Sequence, residues 1–271
     1  MDSSLRYSKD LETWSTVNLR SVKGYYSTEY QTVIAAKDGV YFVTFDVNEI
    51  TVDRINETEL QECKSVLVSD NNYIYVGCAD GIYRAYYGGY STGNRISFEK
   101  LELRNEEGEK TTSREIPVND IIQFDDSIYL AAEDNVYVDA NENTLKGYEF
   151  WLEDQTVNCV VKLGEYTFVG TNKNLYGKYD ESDQFYALFP SETQVYSGVS
   201  YKDSGYFGTI SGILSVELRD GILEPIDEYP FISELSNVKT LKMYRVNKKN
   251  RLYGIDGVSC FFMEPDTGNE V

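Results

Sequence analysis

Six copies of one short hairpin motif, set at a spacing of about forty residues in a chain rich in strand-forming aromatics, predict an all-β fold, a six-bladed β-propeller of four-stranded antiparallel blades. The 271 residues include 24 Tyr and 12 Phe, side chains that suit the pleated surface of a strand. The repeat emerges when AAKDGVYFV (35–43), GCADGIYRA (77–85), AAEDNVYVD (131–139), GTNKNLYGK (170–178), GTISGILSV (208–216) and the shorter GIDGVSCF (254–261) are aligned.

Each copy places a small residue, a polar step, Gly or Asn, and then an aliphatic residue. Gly39, Gly81, Asn135, Asn174, Gly212 and Gly257 mark the turns, at intervals of 42, 54, 39, 38 and 45. Blades of about 40 to 50 residues have this period. The longest interval contains RNEEGEKTTSRE (104–115), a charged insertion expected to project as a structureless loop. Gly and Asn tolerate the positive φ of a tight hairpin turn, and the flanking runs have the pattern of half-buried strands. Small residues four before each turn, Ala35, Gly77, Ala131, Gly170 and Gly208, are expected to let neighbouring blades approach closely.

A first strand precedes each of the later hairpins: KSVLVSD (64–70), NDIIQFD (119–125), NCVVKLG (158–164), YSGVSYK (196–202) and VKTLKMY (238–244). A fourth follows, as in RISFEKLEL (95–103) and GYEFWLE (147–153). The chain ends at MEPDTGNEV with no fourth strand apparent, so the N-terminal segment is expected to complete the last blade and close the ring, leaving no open sheet edge. Residues 1–271 then make one domain.

The formal charge of −20 excludes a phosphate-tracking nucleic-acid surface, which needs clustered Lys and Arg. It equally disfavours anionic membranes. Cys63, Cys78, Cys159 and Cys260 form no CxxC pair, so buried free thiols in a reducing compartment are expected rather than a zinc site. No apolar run marks a signal peptide or a bilayer span, which places the chain in a cytoplasm or a virion. The sequon Asn56-Glu57-Thr58 carries no meaning without a secretion route.

Ser8, Asp10, Thr13 and Trp14 in LRYSKDLETW (5–14) resemble the Asp-box, the hairpin of sialidase-like propellers. The strand-turn-strand repeat resembles that family across nearly the full length. The box itself departs from the pattern, being one residue short with Leu11 where the family has glycine. The resemblance implies a structural role: Ser8 and Asp10 hold a turn and Trp14 packs beneath it, as side chains of these types do.

The enzymes of that family need an arginine triad, and this chain has only ten Arg, with Arg84 alone inside a repeated hairpin core. Histidine is absent, removing the commonest general base and metal ligand. A two-carboxylate glycosidase needs one acid pair, but among 45 acids none stands out beyond Asp120 and Asp203. No catalytic residues and no cofactor are therefore expected. Calcium has oxygen ligands on offer at DESD (180–183) and EDN (133–135), though a solvated acidic loop explains them as well.

The expected function is a non-catalytic binding or assembly module with protein partners, in a large particle such as a phage tail or virion. A carbohydrate-binding or glycosidase-like propeller and a cytoplasmic scaffold subunit are the alternatives. Candidate binding residues are Tyr86, Tyr87 and Tyr90 among glycines, the rigid amphipathic type favoured in recognition, and the basic cluster of Arg245, Lys248 and Lys249.

Overall fold

Strand-forming residues between tight turns fold into antiparallel meanders in the computed structural model, which describes residues 5–7, 15–17, 19, 21–27, 31–45, 50–88, 94–105, 107–110, 115–133, 135–141, 144–147, 155–182, 184–189, 192–223, 235–246, 249–255, 260–264 and 269–270. These contain strands and no helix, and so no helix long and apolar enough to cross a membrane. The chain divides into two compact units.

The first unit comprises Met1–Leu130 and Tyr137–Lys146. In it β1 (Leu5–Tyr7) pairs with β2 (Ser15–Val17). A four-stranded sheet follows: β3 (Val22–Ser27), β4 (Gln31–Ala36), β5 (Gly39–Phe45) and β6 (Ile50–Arg54). The next holds β7 (Ser65–Val68), β8 (Tyr73–Cys78), β9 (Gly81–Tyr86) and β10 (Glu99–Lys100). The third has five strands: β11 (Glu102–Arg104), β12 (Val118–Phe124), β13 (Ser127–Ala132), β14 (Val136–Asn141) and β15 (Thr144–Gly147), with β11 parallel to β15 at the edge.

The second unit comprises Ala131–Val136 and Gly147–Val271. It contains β16 (Val157–Leu163), β17 (Tyr166–Thr171), β18 (Leu175–Tyr179) and β19 (Tyr186–Ala187) in one sheet. The next sheet is β20 (Val195–Tyr201), β21 (Ser204–Thr209), β22 (Gly212–Arg219) and β23 (Ile222–Leu223). The last is β24 (Thr240–Val246), β25 (Lys249–Ile255), β26 (Cys260–Glu264) and β27 (Asn269–Glu270).

Three expectations need correction. The last sheet has its own fourth strand, β27, while β1 and β2 pair with each other and, among the described residues, with no other strand. The third sheet has five strands because residues before the 104–115 insertion add β11 to its edge. The insertion is also partly ordered. Arg104 and Lys110 both pair with Glu102, and Asn105 Oδ1 accepts the Glu109 N–H at 2.8 Å, so its described part is a pinned turn.

The second strand of four of the sheets is buried on both faces: β8, β13, β17 and β21 are buried at every residue but the first, which is half-buried. Such strands read as continuous apolar runs, not alternations. The core of the first unit groups Val33, Phe42, Ile55, Ile74 and Val76; that of the second groups Val161, Phe168, Phe207 and Leu214.

The small residues before the turns do seat the next sheet. A Cβ at Gly77 would stand 2.7 Å from Val118 Cγ1, at Gly170 2.5 Å from Val195 Cγ1, and at Gly208 2.4 Å from the Val238 carbonyl oxygen. The turns divide by residue type. Gly39, Gly81 and Gly212 take positive φ, as predicted, but Asn135 and Asn174 do not. Each instead uses its own Oδ1 to accept the following N–H, from Val136 at 2.7 Å and Leu175 at 2.8 Å. The equivalent N–H after Gly39, that of Val40, is satisfied by Asn56 Oδ1 from the next connection at 3.0 Å.

Candidate binding site

The DGVY and DGIY repeats set one end of the first unit's sheets. In each, the Tyr hydroxyl reaches back across the turn to the Asp carboxylate: Tyr41 to Asp38 at 2.9 Å and Tyr83 to Asp80 at 2.5 Å. Burial, followed by the bond to Asp38, pushes the Tyr41 phenol up to about 12. Burial and then the bond to Asp80 raise Tyr83 in the same way. Burial works against ionised Asp80, yet hydrogen bonds from Tyr83 and Lys100 hold its carboxyl below the usual range.

At this end the β4–β5 turn meets residues 55–64, which lead from β6 to β7. Glu62 N–H donates to the Lys37 carbonyl at 2.7 Å, and Lys64 N–H to that of Gly77 at 2.7 Å. A recess of about 300 Å³ lies here, lined by Ser21, Lys23, Lys37, Glu62, Cys63 and Lys64. A second, of about 470 Å³, adjoins it through shared Lys37 and Glu62, with Asp38, Arg54 and Glu59 among its walls. The Lys37–Glu62 ion pair, 3.3 Å long and well exposed, stands between them. Lys64 Nζ donates to Asn119 Oδ1 at 3.0 Å, whereas Lys23 has no polar partner among the described residues.

Behind the recess, Cys63 and Cys78 bring their sulfurs to 3.3 Å. Hydrogen bonding to Cys63 and then burial drive the Cys78 thiol far above its ordinary range, so it stays protonated and unreactive. Cys63, Cys78 and Cys159 are buried thiols outside any disulfide, as expected.

The predicted binding residues fall at other places. Tyr86 and Tyr87 lie at the opposite end of β9 and part company: Tyr86 is 57% exposed, while Tyr87 packs on the core edge-on to Phe42 at 6.3 Å. Tyr86 rests against Tyr73 at 5.3 Å. Arg84, buried, lies over the same Tyr73 ring at 4.7 Å and pairs with Glu99 at 2.6 Å. Tyr90 lies outside the described residues, as do Lys248 and the Asp-box residues Ser8, Asp10 and Trp14. Arg245 pairs in register with Asn250, and Val246 with Lys249, on the β24–β25 hairpin. Asp120 belongs to β12 in the first unit; Asp203 belongs to the β20–β21 turn in the second.

Of the acidic stretches, Asp134 and Asp183 lie outside the described residues, and Asp180 is bound to Lys162 through both oxygens at 2.7 Å. Among the described residues no three acids or thiols cluster as metal ligands would. Asn56 of the sequon is 1% exposed, and its Nδ2 donates to the Thr58 carbonyl at 2.7 Å. That side chain is a strut of the turn, not a glycan acceptor.

No protein-family profile and no curated protein matches the chain. Solved structures do. A WD40 β-propeller domain, that of Doa1, aligns at TM-score 0.65 and 13% identity over 92% of this chain and 80% of that one. The chain has a β-propeller fold. Two further propeller-like neighbours agree: an ancestral GH74 enzyme, at TM-score 0.69 and 13% identity over 95% of this chain and 41% of its own, and the extracellular domain of a one-component system from B. thetaiotaomicron, at 0.61 and 13% over 88%. The chain spans 32% of the length of that last structure. At such identities the likeness concerns the fold, and a propeller fold carries both binding proteins and enzymes.

The sequence did not point to the lysine recess. Lys23, Lys37 and Lys64 stand on three separate elements, and no spacing along the chain links them. The split between Tyr86 and Tyr87 was readable, because neighbours on a strand face opposite sides.

Proposed function

We infer that this propeller is a non-catalytic binding and assembly module, its six sheets forming the blades of one ring. Asp-box ancestry is part of this reading. Tyr86 is the observation that carries it. An exposed ring braced on Tyr73 and set beside Gly88 offers rigid amphipathic contact area at low entropic cost, the property that favours tyrosine at recognition surfaces. Its partner is a protein. The narrower setting, a structural part of a large particle such as a phage tail or virion, rests on the sequence features alone.

Size-exclusion chromatography with light scattering on native material, followed by mass spectrometry of co-eluting chains, tests it. A defined complex that dissociates with Tyr86→Ser but not with Tyr87→Phe supports the reading. A monomer in native material, or a complex indifferent to Tyr86→Ser, rejects this surface.

Outward-facing Tyr86 also favours a second reading, a carbohydrate-binding propeller, since an aromatic platform stacks on sugars; one structural neighbour is a GH74 enzyme. A glycan array separates the two. Glycan binding lost in Tyr86→Ser would replace the protein partner with a sugar.

A further inference from the structure

We propose that the recess between β3 and the 55–64 connection binds a phosphoryl dianion, as free phosphate or as the head of a small phosphomonoester. The site lies at the end of the β7–β10 sheet opposite Tyr86 and is independent of the surface discussed above.

Charge is the first argument. The chain has 45 acids against 25 Lys and Arg, yet among the described residues lining this recess three are lysines and Glu62 alone opposes them. That leaves two formal positive charges on a concave wall, where fields add and neighbouring protein limits screening. The surrounding acidity would repel an anion at long range. At about 0.15 M salt, however, the Debye length of roughly 8 Å removes most of that repulsion and spares direct contact with the amines.

The kind of cation narrows the ligand. Lys23, Lys37 and Lys64 present compact ammonium charges, and among the described residues no guanidinium lines this recess. The arginine fork matches carboxylate and phosphate alike, but a tetrahedral phosphate also accepts point charges from several directions, as lysines supply them. Ser21 adds a hydroxyl, able to donate to a fourth oxygen. The volume of about 300 Å³ equals roughly ten waters, enough for a phosphoryl group and a few further atoms but too little for an extended chain.

The backbone of the site is fixed while its charges can move. Glu62 N–H is tied to the Lys37 carbonyl, and Lys64 N–H to that of Gly77. The Lys37 and Glu62 side chains, 64% and 56% exposed, form a surface pair of the weak kind. An incoming dianion displaces Glu62 from Lys37, and the vacated carboxylate turns toward the adjoining recess of about 470 Å³. Glu62 is therefore an internal competitor for the ligand.

Calorimetric titration of the full chain at about 0.15 M salt, with inorganic phosphate, O-phosphoserine and sulfate, tests this. Phosphate and sulfate should both bind at pH 7.5. Phosphate should weaken relative to sulfate at pH 5.5, where inorganic phosphate is almost wholly the monoanion; O-phosphoserine, whose second proton titrates near pH 6, should weaken less. Lys23→Met and Lys37→Met should each weaken phosphate about tenfold. Glu62→Gln should tighten it about two- to fivefold. None of these side chains lies in the core, so unchanged melting temperatures confirm that the variants fold. O-phosphoserine binding tighter than phosphate identifies an ester as the ligand; equal binding identifies the free ion. Absence of binding at millimolar phosphate, or binding indifferent to Lys23→Met and Glu62→Gln, overturns the proposal.

Discussion

The Asn56 carboxamide oxygen accepts the Val40 N–H at 3.0 Å, supplying from the next connection what Asn135 and Asn174 supply within their own turns. Glycine at position 39 makes this possible. A Cβ there would lie 2.5 Å from the same oxygen, so the glycine admits the carboxamide as well as taking positive φ. Asn56→Ala leaves a buried N–H without an acceptor and should cost about 1–3 kcal/mol in urea unfolding. Expression through a secretory route should leave Asn56 unglycosylated, as a mass measurement would show.

Glycines in strands should separate by what lies above them. Gly77→Ala forces a methyl against Val118 and its carbonyl oxygen, at 2.7 and 2.8 Å, and should destabilise by about 1–3 kcal/mol. Gly177→Ala meets nothing nearer than 3.4 Å, and the smaller entropy of its unfolded chain should make it neutral or stabilising by up to about 1 kcal/mol. Paired thermal melts check the contrast.

Alkali should loosen the first unit. Tyr41 and Tyr83 have phenols raised above the ordinary value of 10.0 by burial and by their bonds to Asp38 and Asp80. A raised folded pKa favours the folded state fully below the unfolded value, and that contribution is lost as pH climbs through the folded one. Stability should therefore fall between pH 10 and about 12 for Tyr41, with the loss reduced in Tyr41→Phe. Chemical denaturation at successive pH values measures it.

Lys162, 2% exposed, is bound by both oxygens of Asp180, itself 44% exposed. The two ends of this pair should respond unequally. Asp180→Asn strands a buried ammonium and should cost up to about 3 kcal/mol. Lys162→Met replaces the charge with an apolar chain of similar length while Asp180 turns to water, so its loss should be smaller. A double variant measured alongside the singles gives the coupling.

The hairpins were legible because turn chemistry and burial repeat at fixed spacing, and the first strands because each is a short apolar run bounded by turn residues. Strand β27 was not, since two residues, Asn269 and Glu270, carry no period. Edge strand β11 was only half read: the run 95–103, expected as one strand, divides into β10 and β11 on different sheets, because β15 pairs with Glu102–Arg104. The asparagine turns were placed correctly but given the wrong backbone, because an Asn side chain can satisfy an N–H without adopting positive φ. The lysine recess arises only when three elements meet, a property that no single segment carries.

Strands β10, β19, β23 and β27, outermost in four of the sheets, are two residues long. Each offers a passing molecule hardly a rung of backbone to extend, and short edge strands are a means by which β-rich proteins resist fibril growth. Together with a net charge of −20, these clipped borders should disfavour edge-to-edge polymerisation of a tyrosine-rich chain.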